Sequence, residues 1–157
     1  MLDIGANIGI YSLVADKLVG ETGRVWAFEP STEAYNMLLA NLSLNRAASV
    51  VAEKIALSDT AGSTAILKRD PGYRDGERYL SMRKEAAPRE NTASGDSGDS
   101  ETVQVTTLDG YMHAGGDRWP RIDFIKMDVE GLEYSVLRGA KTVLAKNNGI
   151  VLFFECT

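Results

Sequence analysis

Two glycines and an acidic residue alternate near the start of the chain, in the run Asp3-Ile4-Gly5-Ala6-Asn7-Ile8-Gly9. Glycine permits sharp turns and lets a ligand approach the backbone without a β-carbon in the way. A helix that begins near Gly9 turns its first free N–H groups toward the same ligand. The run therefore predicts a strand, a turn and a helix that hold part of a nucleoside-like ligand.

A second carboxylate stands where the other half of such a ligand would lie. Glu29 follows the apolar run 24–28 and precedes Pro30. At the end of a second strand it can accept hydrogen bonds from both hydroxyls of a ribose, each worth roughly 1.5–3 kcal/mol when well made. The two signals together predict an adenosine site. The alternative, a glycine-rich turn without a ligand, leaves the placement of Glu29 unexplained.

The spacing of the glycines selects among adenosine cofactors. A dinucleotide site has the pattern G-x-G-x-x-G, whereas here Asn7 separates Gly5 from Gly9 and Asp3 opens the turn. A carboxylate at the tip of the strand suits a cationic amino or sulfonium group and repels a pyrophosphate. The pattern therefore favours S-adenosylmethionine over NAD. An NAD-dependent oxidoreductase is the alternative that the glycine spacing disfavours.

A pair of carboxylates, Asp128 and Glu130, follows the apolar run 122–127. Near a reactive methyl group, such a pair can orient an acceptor or take its proton. Alternatively, Glu130 caps the following helix and Asp128 only accepts hydrogen bonds from loop amides. Carboxylates also bind Mg²⁺, but so few ligands without a histidine lead us to predict no metal.

Ser58 and Asp59 end a third apolar run and can hydrogen-bond an adenine amino group. The alternative for these two residues is a plain turn, since Thr60, Ala61 and Gly62 follow.

Apolar periodicity predicts how these residues are positioned. Helices are predicted from the spacing of Ile10, Leu13, Val14 and Leu18; of Tyr35, Leu38, Leu39 and Leu42 after a Ser31 cap; and of Val136, Leu137, Ala140 and Leu144. Main strands are predicted at 2–4, 24–28, 49–57, 122–129 and 150–155, with shorter ones at 64–67 and 103–107 and a short helix near Asp109. The alternation predicts a three-layer α/β fold with a mostly parallel, Rossmann-like sheet. Its carboxyl rim would collect Gly5, Glu29, Asp59 and Asp128.

The 157 residues, 44% of them hydrophobic, suffice for one domain with its own core, so we predict a single domain over 1–157. Both ends look cut, because the chain starts almost inside a strand and stops just after one. The segment at about 84–101 is small, polar and acidic, which predicts a disordered insert rather than a linker between two domains.

Charge and composition exclude several classes of partner. The net charge of −5 and the lack of a basic stripe argue against nucleic acid, and one cysteine excludes a disulfide framework. No apolar run is long enough to cross a bilayer and no signal peptide is visible, so we expect a cytoplasmic protein. The oligomeric state is not predicted.

Five blocks of the sequence together resemble the FkbM-type S-adenosylmethionine-dependent methyltransferases. Their order and approximate spacing match across nearly the whole chain, and the last block is the most specific. They are Asp3–Gly9, Ala27-Phe28-Glu29-Pro30, Ala56-Leu57-Ser58-Asp59, Thr106-Thr107-Leu108-Asp109 and Ile125-Lys126-Met127-Asp128-Val129-Glu130-Gly131-Leu132-Glu133.

The resemblance implies a class I methyltransferase fold that transfers a methyl group to a hydroxyl oxygen of a small molecule or carbohydrate. It implies that Asp128 faces the reactive centre, and the pairing of carboxylates described above makes Glu130 the second catalytic candidate. Residues expected to bind the cofactor are Asp3, Gly5, Ala6, Asn7, Gly9, Glu29, Pro30, Ser58 and Asp59. The alternative is a non-catalytic or truncated methyltransferase-like module that binds cofactor weakly or serves as an interaction domain.

Overall fold

The computed structural model describes residues 1–69, 78–81, 100–116 and 121–154. Strands and helices alternate through most of these residues, as the periodicity predicts. In chain order they are β1 (Leu2–Ile4), α1 (Ile10–Leu18), β2 (Val25–Phe28), α2 (Thr32–Leu44), β3 (Val50–Glu53), β4 (Ala56–Leu57), β5 (Ser63–Arg69), β6 (Arg78–Ser81), β7 (Ser100–Thr106), α3 (Leu108–Ala114), β8 (Phe124–Met127), α4 (Glu133–Arg138), α5 (Lys141–Lys146) and β9 (Val151–Phe154).

The main sheet has five strands in the order β3-β2-β1-β8-β9, and every pair in it is parallel. The central strand β1 lies between β2 and β8, with Asp3 opposite Ala27 on one side and Lys126 on the other. The carboxyl ends of these three strands therefore meet at one edge. The predicted α/β fold with a mostly parallel, Rossmann-like sheet is confirmed.

Helices cover both faces of this sheet. On one face, the buried side chains of β1 and β8 pack with α3, α4 and α5 in a core that includes Leu2, Phe28, Leu108, Ile125 and Val136. On the other face, a smaller core under α2 is formed by Ala6, Ala27, Leu38, Leu42 and Ala47. Ser31 caps α2 by accepting a hydrogen bond from the backbone N–H of Ala34, as its sequence position predicts.

The single strand predicted at 49–57 is wrong, because this stretch contributes to two sheets. β3 ends at Glu53, whose carbonyl accepts a hydrogen bond from the backbone N–H of Glu29. After Lys54 and Ile55 the chain enters a second sheet of order β4-β7-β5-β6, in which Ala56 pairs with Val105. Asp59 therefore follows a strand of the second sheet, and the prediction that it ends a main-sheet strand beside Gly5 is also wrong.

Helices α1 and α2 form where the apolar spacing predicts them, but not every apolar position on them is buried. In α1, Leu13 packs against the core under α2, whereas Ile10, Val14 and Leu18 are 62%, 54% and 78% exposed; the fully or nearly fully buried residues of this helix are Ser12 and Ala15. In α2, Leu39 is 43% exposed, although Leu38 and Leu42 are buried as predicted.

The helix predicted after Gly131 is split into α4 and α5 around Gly139. A β-carbon on Gly139 would lie 2.0 Å from the carbonyl oxygen of Ser58. The backbone between α4 and α5 therefore packs directly against the residue that follows β4. Val136 and Ala140 nevertheless point into the core as predicted.

The predicted insert at about 84–101 lies largely outside the described residues. Its last two positions, Ser100 and Glu101, begin β7, which is therefore longer than the strand predicted at 103–107. In the part of the chain that the structure describes, no helix is long and apolar enough to cross a membrane.

Candidate donor and acceptor site

The glycine turn is fixed to the neighbouring strand by its backbone. The N–H groups of Gly5 and Ala6 both donate to the carbonyl oxygen of Phe28, each at 3.0 Å. Gly5, Asn7 and Gly9 have φ angles of +76°, +50° and +90°, the left-handed region that glycine and asparagine adopt most readily. The alternation of these residue types therefore produces a turn that folds back over the sheet edge before α1 begins.

Glu29 is held rigidly beside this turn. Its Oε2 accepts a hydrogen bond from the backbone N–H of Asn7 and its Oε1 accepts one from that of Ser31, both at 2.8 Å. The residue is 7% exposed. Burial raises the pKa of the Glu29 carboxyl, and the two N–H donors partly oppose that increase. The carboxylate thus ties the glycine turn to the start of α2 in one fixed orientation.

Asp3 lies behind the turn in a buried polar cluster. It is fully buried, and its Oδ2 accepts a hydrogen bond of 2.6 Å from the hydroxyl of Ser12. Its Oδ1 lies 3.4 Å from the ammonium of Lys126. Lys126 also donates to the carbonyl oxygen of Gly5 at 2.8 Å and stands 5.1 Å from the ring centroid of Tyr11. This cluster explains why α1 presents Ser12 to the sheet, since a buried carboxylate requires hydrogen-bond donors.

The loop after β8 carries the second pair of carboxylates. The backbone N–H of Asp128 donates to the carbonyl of Ile4, and Glu133 accepts a hydrogen bond from the N–H of Val129. Glu130 has a φ of +51°. The Asp128 side chain is 46% exposed, and its Oδ2 lies 3.7 Å from Lys126. The loop is therefore anchored at both ends while Asp128 remains accessible.

These elements enclose a cavity of about 450 Å³ at the carboxyl edge of the main sheet. Its volume falls within the range of roughly 300–1,000 Å³ that is usual for small-molecule sites. Polar and charged groups line one side, and apolar residues from the region of β4 and β5 line another. The cavity is lined by Ile4, Gly5, Asn7, Ile8, Phe28, Glu29, Pro30, Ser31, Glu33, Ala34, Met37, Ile55, Ala56, Leu57, Leu67, Asp128, Val129, Glu130 and Leu132.

The structure brings six of the predicted site residues to this cavity, namely Gly5, Asn7, Glu29, Pro30, Asp128 and Glu130. Five others do not line it. Ala6 and Gly9 are buried within the turn and Asp3 lies behind it. Ser58 is fully buried, and Asp59 stands 3.6 Å from Arg138. The functional roles of all eleven residues remain predictions.

Sequence reasoning missed the wall that α2 and the second sheet provide. Glu33 and Met37 lie one helical turn apart near the start of α2, and Leu67 comes from β5. The separation of Glu33 and Met37 after a capped helix start was a usable signal for the first two. Leu67 had none, because its place depends on how the second sheet packs.

Among the described residues, no cluster of three or more His, Cys, Asp and Glu side chains can hold a metal ion.

Comparison with known proteins agrees with this geometry. The Methyltransferase FkbM domain matches residues 3–157. The chain is 32% identical over 154 residues to methyltransferase sdnD from Sordaria araneosa, which covers 88% of this chain and 59% of that protein. It is 25% identical over 150 residues to hexuronic acid methyltransferase AglP from Haloferax volcanii, covering 96% of this chain and 53% of the relative. The chain therefore spans little more than half the length of these relatives, and no solved structure matches it significantly.

Proposed function

Because the chain belongs to the FkbM methyltransferase family, we propose that it transfers a methyl group from S-adenosylmethionine to a hydroxyl oxygen of a small molecule or sugar. The observation that carries this proposal is the Glu29 carboxylate. It is buried at the cavity and held by two backbone N–H groups, one of which comes from the glycine turn. A carboxylate fixed in this way is preorganised to accept hydrogen bonds from a ribose diol.

The residues around Glu29 fit the rest of the donor. The apolar side chains of Ile55, Leu57 and Leu67 supply a wall for an adenine ring. The turn and Asp128 supply polar groups at the other end of the cavity. Ser58 and Asp59 are not carried into this proposal as adenine ligands, because neither lines the cavity. Asp3 acts on the donor side through Lys126 and the Gly5 carbonyl, since it is fully buried behind the turn.

Asp128 and Glu130 carry the chemistry on the acceptor side. The bound donor supplies an electrophilic methyl group. Asp128 lies at the cavity with its side chain half-exposed, so it can accept a hydrogen bond from an acceptor hydroxyl and take its proton as the new bond forms. Glu130 follows in the same loop and orients the acceptor. Alignment of this kind lowers barriers by up to roughly 7–11 kcal/mol in favourable cases.

The proposal is tested first by donor binding. Isothermal titration calorimetry with S-adenosylmethionine and with NAD should show binding of the first alone, because the turn that begins at Asp3 lacks the G-x-G-x-x-G spacing of a dinucleotide site. A screen with radiolabelled S-adenosylmethionine against neutral and charged sugars and polyketide-like alcohols should then show base-stable methyl ethers. Binding of NAD, or the absence of methyl transfer to any hydroxyl acceptor in the screen, would contradict the proposal.

A second candidate function is a non-catalytic interaction module. The exposed apolar side chains of β9 and α1 favour it. Val151 and Phe153 are 55% and 53% exposed, and the ring of Phe153 lies 6.3 Å from that of Tyr11, which is 49% exposed. The same calorimetry separates the two candidates. A module of this kind would bind S-adenosylmethionine weakly or not at all, whereas the enzyme binds it at the cavity and loses binding when Glu29 is replaced.

A further inference from the structure

A carboxylate lies on the inner face of the second sheet, next to the cavity wall. Burial alternates along β7, where Val103 is buried and its neighbours Thr102 and Gln104 are exposed. Glu101 shares the face of Val103, since side chains two positions apart in a strand point the same way. It also pairs directly with Leu67 of β5, and directly opposed residues share a face. Glu101 is therefore the immediate neighbour of a residue that lines the cavity.

Glu101 reaches from this face to the start of α2. Its Oε2 accepts a hydrogen bond of 2.9 Å from the backbone N–H of Thr32, and its Oε1 accepts one from the Thr32 hydroxyl. Thr32 is the first residue of α2, where backbone N–H groups have no partner within the helix. A carboxylate is favoured there because the helix dipole places positive charge at that end. The contact therefore joins the second sheet to a helix that packs on the main sheet.

Lys54 completes this contact from a third element. It lies in the connection between β3 and β4, where the chain passes from one sheet to the other. Its ammonium lies 3.2 Å from the Glu101 carboxylate and donates to the Thr32 hydroxyl. Burial raises the pKa of Glu101, but the hydrogen bonds from Thr32 and the ammonium of Lys54 outweigh burial and hold that pKa below its ordinary value of 4.5. We call Thr32, Lys54 and Glu101 the clamp, because together they link both sheets and α2.

Each member of the clamp adjoins a residue that lines the cavity. The three neighbours are Ser31 at the start of α2, Ile55 in the connection and Leu67 in β5. The clamp residues themselves do not line the cavity. Ser31 also donates its backbone N–H to Glu29, the proposed ribose ligand. The clamp therefore fixes, from outside the cavity, the spacing of three wall segments around the proposed adenosine position.

From this arrangement we infer that Glu101 is a positioning residue for the methyl donor. It holds the wall segments of Ser31, Ile55 and Leu67 at the spacing that the adenosine moiety requires, and it acts through them because it does not itself line the cavity. The inference rests on the proposed donor binding and adds to it a residue that does not contact the donor.

Loss of the clamp should act on donor affinity and not only on stability. Without Glu101 the second sheet is released from α2, and the wall segments take the donor-binding spacing for only part of the time. Apparent affinity then falls in proportion to the fraction of molecules that keep this spacing. A purely structural contribution to stability leaves the affinity of the folded molecules unchanged, so donor affinity distinguishes the two roles.

Glu101→Ala and Glu101→Gln test the inference by calorimetry with S-adenosylmethionine and S-adenosylhomocysteine, under conditions where circular dichroism shows each variant to be folded. We expect Glu101→Ala to weaken the binding of both ligands about fivefold or more, and by the same factor, because they share the adenosine moiety. Glu101→Gln keeps an oxygen for the N–H of Thr32 and should lose less. An affinity of folded Glu101→Ala equal to that of the original protein would overturn the inference.

Two further substitutions control for general damage. Thr102→Ala changes the adjacent, outward-facing position of β7 and should alter affinity by less than about twofold. Lys54→Met removes the ammonium from an exposed residue, so it tests the clamp even where Glu101→Ala does not fold, and it should weaken binding about threefold. An effect of Thr102→Ala as large as that of Lys54→Met would contradict the inference. Failure of the original protein to bind either ligand would instead overturn the proposed function.

A double-substitution cycle tests whether Glu101 acts through the cavity wall. Leu67→Val removes one methylene from the wall residue opposite Glu101 and should itself weaken donor binding. Because both substitutions disturb the same wall, Glu101→Gln combined with Leu67→Val should weaken binding less than the product of the two single effects. Effects that simply multiply would show that Glu101 acts independently of Leu67 and would contradict the inference.

Discussion

The carbonyl oxygen of Asp128 lies 1.9 Å from the position that a β-carbon would take on Gly5. The turn proposed to hold the donor and the loop proposed to hold the acceptor are thus in direct backbone contact. The N–H of Asp128 also donates to the carbonyl of Ile4, and Lys126 bridges the Gly5 carbonyl to the Asp128 carboxylate. Any side chain at position 5 must push these two halves of the site apart.

Gly5→Ala should therefore damage both the fold and the site. A left-handed φ costs a non-glycine residue about 1–2 kcal/mol, and the clash with Asp128 adds about 1–3 kcal/mol of overpacking. Urea unfolding should show this loss of unfolding free energy, and calorimetry should show weaker binding of S-adenosylmethionine.

Gly20→Ala is the matched control for that substitution. Gly20 has a φ of +71°, but nothing lies within 4 Å of its would-be β-carbon. It should lose only the conformational contribution, about 1–2 kcal/mol, and retain donor affinity. Equal losses of stability in the two variants would show that the contact between Gly5 and Asp128 is not tight.

Replacing Glu29 should weaken donor binding without removing the cavity. Glu29→Gln keeps the size of the side chain but loses the charge and one acceptor for the N–H groups of Asn7 and Ser31. We expect donor affinity to fall about tenfold or more, from roughly 1.5–3 kcal/mol per charged hydrogen bond. Calorimetry checks the expectation, with Glu21→Gln as the matched control because Glu21 is exposed in the loop after α1 and does not line the cavity. An unchanged Kd in Glu29→Gln would refute the ribose assignment.

The pH dependence of donor binding should report the same carboxyl group. Burial raises the pKa of Glu29 above its ordinary value of 4.5, so it takes up a proton at a higher pH than an exposed glutamate. Donor affinity should therefore decline as the pH falls toward 4.5 from above. The contribution of Glu29 to the free energy of unfolding depends on pH in the opposite direction from donor affinity. It is fully present below pH 4.5 and is lost as the pH rises through the raised pKa. A loss of binding that tracks acid unfolding, or that persists in Glu29→Gln, would exclude this origin.

Asp128→Asn should separate chemistry from binding. The amide keeps the shape of the side chain but cannot take a proton, so turnover with an acceptor from the methylation screen should fall by about 10²–10⁴-fold. Donor affinity should remain measurable by calorimetry, because Glu29 and the turn are unchanged. Turnover equal to that of the original protein would remove Asp128 from the mechanism.

Local signals in the sequence predicted the parts of the site that depend on neighbours in the chain. The glycine turn follows from residue types at fixed spacing, and the cap at Ser31 follows from a hydroxyl before a helix. Glu29 reaches the cavity because a carboxylate after a short buried strand lies at the sheet edge. In each case a few adjacent residues determine the geometry.

Long-range packing determined what the sequence did not predict. The transfer of the chain from β3 to β4 depends on pairing between Ala56 and Val105, which lie far apart in sequence. The apolar spacing of α1 predicted a helix, but it did not predict that the buried Asp3 places Ser12 against the sheet. Lys126 stood in a recognised motif, but its contacts with Asp3 and Gly5 became visible only once β1 and β8 were neighbours.

A double-substitution experiment should measure how strongly the ion pair of Asp3 and Lys126 stabilises the fold. Lys126→Met leaves the fully buried Asp3 without its cation, and removing one partner of a buried pair costs about 3–5 kcal/mol. Adding Asp3→Asn removes the stranded charge and keeps an oxygen for the Ser12 hydroxyl, so the double variant should regain much of the lost unfolding free energy. Urea unfolding of the single and double variants measures this coupling. A double variant no more stable than Lys126→Met would show that the carboxylate is not balanced by this ammonium, and that the turn is held mainly by the hydrogen bond from Lys126 to Gly5.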